Sequence, residues 1–106
     1  MSSLFDLSGR TALVTGGSKG LGKAMAAGFA DHGADVMICS RNADELEATT
    51  SEIREATGRR VEYAVADLTS REGVASLVEA TQSQFGGVDI LVAYVLYLLA
   101  AIAASR

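Results

Sequence analysis

The chain has 106 residues, a formal net charge of −4 and 49% hydrophobic residues. That length holds one domain, the apolar content argues against disorder, and the acidic balance argues against a nucleic acid gripped through its phosphates. The single cysteine, Cys39, rules out an intrachain disulfide and a multi-cysteine metal site, and no metal-ligand set is expected.

The first residues, Met1-Ser-Ser-Leu-Phe-Asp, lack the basic and apolar regions of a signal peptide, so the cytosol is the expected compartment. Phe5 and Leu7 lead into a turn at Ser8-Gly-Arg. Ala12 to Val14 reads as a buried parallel strand. A glycine-rich turn, Gly16 to Gly22, opens a helix running to about His32, with Gly33 as its cap. Leu21, Ala24, Met25, Gly28 and Phe29 are the small and apolar residues of that helix. Strand, glycine turn and helix together aim backbone N–H groups and a positive helix end at a diphosphate. Gly16 permits the sharp exit from the strand, Gly20 leaves room for a pyrophosphate, and Gly22 lets the helix pack close. With Ser18, Lys19 and Leu21 they make up the candidate cofactor turn. His32 reads as a surface residue near the negative helix end.

Val36 to Cys39 is the second buried strand, which makes Cys39 a core thiol. Ser40-Arg41-Asn42 follows it. An NAD site of this type places an acid near that point to accept the ribose hydroxyls. None stands there: Asp35 opens the strand and Asp44 lies beyond it. Arg41 and Lys19 can instead converge on a 2′-phosphate, which favours NADP over NAD. Asn42 to Thr57 is the second helix, started by a capping pair, Asn42 and Glu45. Leu46, Thr49, Thr50, Ile53 and Ala56 form its inward stripe. Gly58 ends it, and Val61 to Ala66 is the third strand. Asp67-Leu68-Thr69 closes that strand and Ser70 can cap the third helix. Val74, Leu77, Val78, Thr81 and Phe85 form an amphipathic face. After Gly86-Gly87, Val88 to Val92 is the fourth strand.

The expected fold is therefore α/β, a partial Rossmann unit with a four-stranded parallel sheet in the order 3-2-1-4. Thr15-Gly-Gly-Ser-Lys-Gly-Leu-Gly22 resembles the cofactor motif of the classical short-chain dehydrogenase/reductase family. The resemblance covers residues 4 to 92 and recurs at Arg41, at Asp67-Leu68 and at Val88-Asp-Ile-Leu-Val. It implies an NADP(H)-dependent carbonyl/alcohol oxidoreductase. It also implies that Asp67 meets the adenine amino group, with the Leu68 backbone at the ring edge. Lead-in and spacings resemble gluconate 5-dehydrogenase-like and 3-oxoacyl carrier-protein reductase-like members equally.

After Val92 the resemblance stops. The family continues with Asn-Asn-Ala-Gly, whereas this chain reads Ala93-Tyr94-Val95-Leu96. The family's tyrosine acid is followed four residues later by a lysine. Here Tyr63 is followed at that distance by Asp67, Tyr94 by Leu98 and Tyr97 by Ala101. Without a positioned proton donor a carbonyl does not readily accept hydride, so no catalytic residue is assigned. The expected division is an NADP-binding half-domain over residues 1–93 and a non-family apolar tail over 94–106. The unbroken apolar run from Ile90 to Ala104 is shorter than the about 20 residues of a membrane span. Three readings of it stand: a span, a strand extension turning into a helix over Leu96 to Ala104 and folding onto the uncovered sheet face, and a shifted or edited reading frame. Two functions stand beside them. One is a truncated reductase, inactive alone; the other is a non-catalytic nucleotide-binding or interaction module. The open edge of the fourth strand is a candidate for self-association or for pairing with a relative.

Overall fold

The computed structural model describes residues 6–16 and 20–92. Strands and helices alternate: β1 (Thr11–Thr15), α1 (Gly20–Asp31), β2 (Asp35–Ser40), α2 (Ala43–Thr57), β3 (Val61–Val65), α3 (Arg71–Phe85) and β4 (Ile90–Val92). All strand pairs are parallel, in the order β3-β2-β1-β4. Three strands have five or six residues, whereas β4 is a short rung of three.

β1 is buried along its whole length, with a strand neighbour on each side and α1 packed against it. Alternate residues then build two cores. Ala12, Val14, Val36, Ile38 and Val61 meet Ala26 and Ala30 of α1 and Leu46 and Ile53 of α2. Leu13, Met37 and Cys39 face the other way and meet Leu77 of α3. Burying a side chain such as Leu46 or Ile53 is worth about 1.5–3 kcal/mol. The exposed pair Lys23–Glu52, at 2.7 Å, ties α1 to α2 and adds at most about 1 kcal/mol.

Helix ends follow the local sequence. The Asn42 side chain accepts from the Glu45 N–H at 3.1 Å and donates to the Glu45 carboxylate at 3.1 Å. The Ser70 hydroxyl accepts from the Gly73 N–H at 3.0 Å. Gly58 and Gly86 close α2 and α3, each donating to a carbonyl of the preceding turn.

The buried faces differ in places from the stripes read in the sequence. α1 buries Gly22, Ala26 and Ala30, while Leu21 is 74% exposed and Ala24 is exposed. Phe29, a large residue of the same helix, is partly buried against the core that Ala26 and Ala30 enter. Ala56 of α2 is exposed because it lies past the last residue the sheet covers, Ile53. On α3 only Leu77 and Thr81 are buried, and Val74 and Val78 are 46% and 48% exposed. One helix cannot cover a four-stranded sheet, and α3 lies over β2 and β3. The expected helix over Leu96 to Ala104 lies outside the described residues. Among the described residues, no helix is long and apolar enough to cross a membrane.

The fourth strand starts later than Val88 because Asp89 has another task. Its N–H donates to the Thr11 carbonyl at 2.9 Å, and its carboxylate accepts from the Thr11 N–H at 2.9 Å. Arg10 lies 3.6 Å from the same carboxylate. This clamp fixes the register Ala12↔Ile90 at the start of β4. Asp89→Ala is expected to lower stability by about 1–2 kcal/mol, because a charged acceptor is removed from a part-buried backbone N–H. Urea unfolding measures it, and an unchanged midpoint would show that the clamp carries no weight.

Candidate functional site

The carboxyl ends of β1, β2 and β3 finish at one edge. Thr15 pairs with Cys39, and Ser40 with Val65. Two further backbone bonds carry the sheet past the strands: Gly16 N–H to the Cys39 carbonyl at 2.7 Å, and Ala66 N–H to the Ser40 carbonyl at 3.0 Å. The residues that leave the strands here are therefore neighbours, although they are far apart in sequence.

At the centre of this edge the chain turns from β1 into α1. Gly16 has φ 72° and Gly20 φ 63°, both in the left-handed region where side chains are strained. Among the described residues, a Cβ built on Gly20 meets no atom within 4 Å. Gly22 is buried where α1 meets the sheet. The first turn of α1 contains no acidic residue, whereas α2 carries Asp44 and Glu45 there and α3 carries Glu72. The positive end of α1 thus has no carboxylate of its own first turn in front of it. A helix start that follows a glycine turn is a type of site that takes a diphosphate. Ser18 and Lys19, also expected in this turn, lie outside the described residues.

Ser40, Arg41 and Asn42 leave β2 on one side of that turn. The Ser40 hydroxyl accepts from the Asn42 N–H at 3.2 Å, which bends the chain and leaves Arg41 exposed. The Asn42 side chain serves the α2 cap. Asp67 leaves β3 next to them. One of its oxygens, Oδ1, accepts from the Thr69 N–H at 2.9 Å and from the Thr69 hydroxyl at 2.6 Å. These two bonds, the hydroxyl first, hold the Asp67 carboxyl below its ordinary value of 3.8, and the Arg41 charge acts in the same direction. Leu68 beside it is 38% exposed. The structure thus gathers Gly16, Gly20, Leu21, Gly22, Ser40, Arg41, Asn42, Asp67 and Leu68 at one edge.

Sequence reasoning missed two residues of this edge. Thr69 holds the Asp67 carboxylate, and the available signal was the Asp-x-Thr spacing of a side-chain turn. Gly73 lies so close beneath the turn that a methyl there would overlap the Asp67 carbonyl. His32 caps α1 at the opposite edge, with Nδ1 2.8 Å from the Gly28 carbonyl. Among the described residues, no group of three or more His, Cys, Asp or Glu could hold a metal ion.

Parallel strands in the order β3-β2-β1-β4, with a glycine turn opening the helix after the central strand, define a Rossmann-type α/β unit. The family profile described as short chain dehydrogenase matches residues 10–95, and the chain belongs to that family. It is 45% identical over 86 residues to a short chain dehydrogenase/reductase of Colletotrichum higginsianum, covering 81% of this chain and 32% of that protein. It is 43% identical over 89 residues to gluconate 5-dehydrogenase of Gluconobacter oxydans, covering 84% and 34%. Among solved structures, L-sorbose reductase of Gluconobacter frateurii, complexed with NADPH and L-sorbose, superposes with a TM-score of 0.80 at 40% identity, covering 82% and 33%. The chain therefore spans about a third of the length of the curated relatives it matches.

Cys39 stands just behind the edge but is not part of its chemistry. Burial pushes its thiol up to about 11, against a smaller opposing effect of the Ala66 backbone. Thiolate is the reactive form, so at pH 8 an alkylating reagent is expected to label folded Cys39 at least about tenfold more slowly than Cys39 in urea. Equal rates would contradict its burial.

Proposed function

We propose that residues 1–93 form the half of an NADP(H)-dependent short-chain oxidoreductase that holds the adenosine and pyrophosphate of its cofactor. The observation that carries this reading is the start of α1 at the left-handed Gly20, following the left-handed Gly16, with Arg41 and Asp67 on the neighbouring strand ends. Family membership and the NADPH-complexed L-sorbose reductase support it.

In this reading the turn from Gly16 to Gly22, including Ser18, Lys19 and Leu21, cradles the pyrophosphate. Arg41 and Lys19 take the 2′-phosphate, with Ser40 and Asn42 shaping the bend that presents Arg41. The Asp67 carboxylate accepts from the adenine amino group, and the Leu68 backbone borders the ring. The cofactor, when bound, supplies a hydride to a carbonyl. The 106 residues contain no tyrosine followed four positions later by lysine, so by themselves they bind nucleotide without a positioned proton donor. The same fact favours a second reading, a non-catalytic nucleotide-binding module, for the 106 residues acting alone.

Adenosine 2′,5′-bisphosphate against adenosine 5′-monophosphate is the sharp comparison, because both need only this half. The purified chain is expected to prefer the 2′-phosphorylated ligand by about tenfold or more, the value of one exposed charged hydrogen bond. Arg41→Ala removes most of that preference and spares weak binding of the monophosphate. Gly20→Val abolishes both, through strain at its positive φ. Equal binding of the two nucleotides by the parent chain would refute the NADP assignment. With NADPH and a carbonyl compound the chain is expected to show no turnover above background.

A further inference from the structure

We propose that Thr69 is a positioning residue: its hydroxyl locks the Asp67 carboxylate in one orientation and thereby sets the site's preference for adenine over other purines. This rests on the adenosine-binding role proposed above for Asp67 and adds a residue that acts through it.

The geometry is specific. Both the Thr69 N–H and the Thr69 hydroxyl donate to the same oxygen, Oδ1, at 2.9 Å and 2.6 Å. Oδ2 accepts no hydrogen bond among the described residues. An ionised carboxylate has lone pairs on both oxygens. Anchoring one of them leaves the second as a fixed acceptor. The anchor itself is held from below. The Ser70 N–H and hydroxyl both donate to the Asp67 carbonyl, at 3.3 Å and 3.2 Å, and the Gly73 N–H donates to the Ser70 hydroxyl at 3.0 Å. The absence of a side chain at Gly73 lets the first turn of α3 lie against that carbonyl. Backbone and carboxylate of Asp67 are therefore both tied, on an exposed turn where an untied aspartate would sample several rotamers.

A fixed acceptor distinguishes bases. Adenine presents an amino group at its 6-position, whereas hypoxanthine presents a carbonyl oxygen there. A carboxylate oxygen held in place accepts from the first and repels the second. If the carboxylate turns freely it can swing away from the carbonyl, and the discrimination weakens. Ionisation matters equally, because a protonated carboxyl would donate to the hypoxanthine oxygen. The charged group acting on Asp67 from the neighbouring strand end is Arg41, which favours the ionised form together with Thr69.

The test compares the 106-residue parent, Thr69→Val and Thr69→Ser. Valine keeps the shape and the backbone N–H but lacks the hydroxyl; serine restores it. Two readouts are taken on each. The first, without ligand, is the titration of the Asp67 carboxyl carbon by NMR. Its folded-state pKa is depressed, so the ionised form is expected to persist in the parent until the pH falls below the ordinary aspartate range. In Thr69→Val the midpoint moves up toward the ordinary value, and in Thr69→Ser it returns. The second is the affinity ratio of adenosine 2′,5′-bisphosphate to inosine 2′,5′-bisphosphate at pH 7. The parent is expected to favour adenosine, Thr69→Val to lose about three- to tenfold of that ratio, and Thr69→Ser to regain it.

A valine variant with the parental ratio overturns the proposal, even if its titration has moved. So does a parent that binds both ligands equally, and in that case the adenosine 2′-phosphate comparison still stands on its own. A parent that binds neither nucleotide refutes the cofactor reading, and the role of Thr69 falls with it.

Discussion

The structure depends on the complete burial of β1. Thr11 to Thr15 lie between two parallel neighbours, with α1 packed against the strand, and Ala12 and Val14 have no exposure at all. A strand with no solvent face has one acceptable depth and one register, because a slip of one residue would exchange its two cores. Leu13 belongs to one core, and Ala12 and Val14 to the other. This locates the end of β1, and hence the turn at Gly16, relative to the ends of β2 and β3. The site is therefore a consequence of apolar packing, although its own residues are mostly polar and exposed.

Electrostatics then distinguish the start of α1 from the other helix starts. α2 and α3 are capped by side chains and carry carboxylates in their first turns. α1 has no acid there and begins after a left-handed glycine turn. Arg41 adds positive charge beside it, while the carboxylate of Asp67 is held by Thr69 at a separate point of the same edge. In the proposed reading, this distribution sets positive charge near the phosphates and negative charge near the base.

Much of this was legible in the sequence because it depends on local chemistry. Glycine spacing marks a turn, Asn42 and Ser70 mark helix starts, and apolar runs mark buried strands. Features that depend on distance between elements were not legible. The fully buried residues of α1 are Gly22, Ala26 and Ala30, with Phe29 partly buried against the same core, and Leu21 is turned outward. Periodicity on α3 includes Val74 and Val78, but periodicity cannot say how wide a surface one helix covers. Asp89 reads as part of a strand motif and serves as a clamp on Thr11 that is visible only once β4 lies beside β1. Thr69 and Gly73 belong to the site through contacts with Asp67, not through any chemistry of their own.

The central claim is that the adenosine and phosphate groups of one ligand lie along the carboxyl ends of β1, β2 and β3. Amide chemical-shift mapping with adenosine 2′,5′-bisphosphate on the uniformly ¹⁵N-labelled chain tests it most directly. The account predicts saturable shifts confined to residues 16–22, 40–42 and 67–69, with His32 and the amides of Arg59 and Arg60 at the opposite edge unmoved. Saturable shifts centred on that opposite edge, or no saturable shift at Gly16, Arg41 and Asp67, would contradict it.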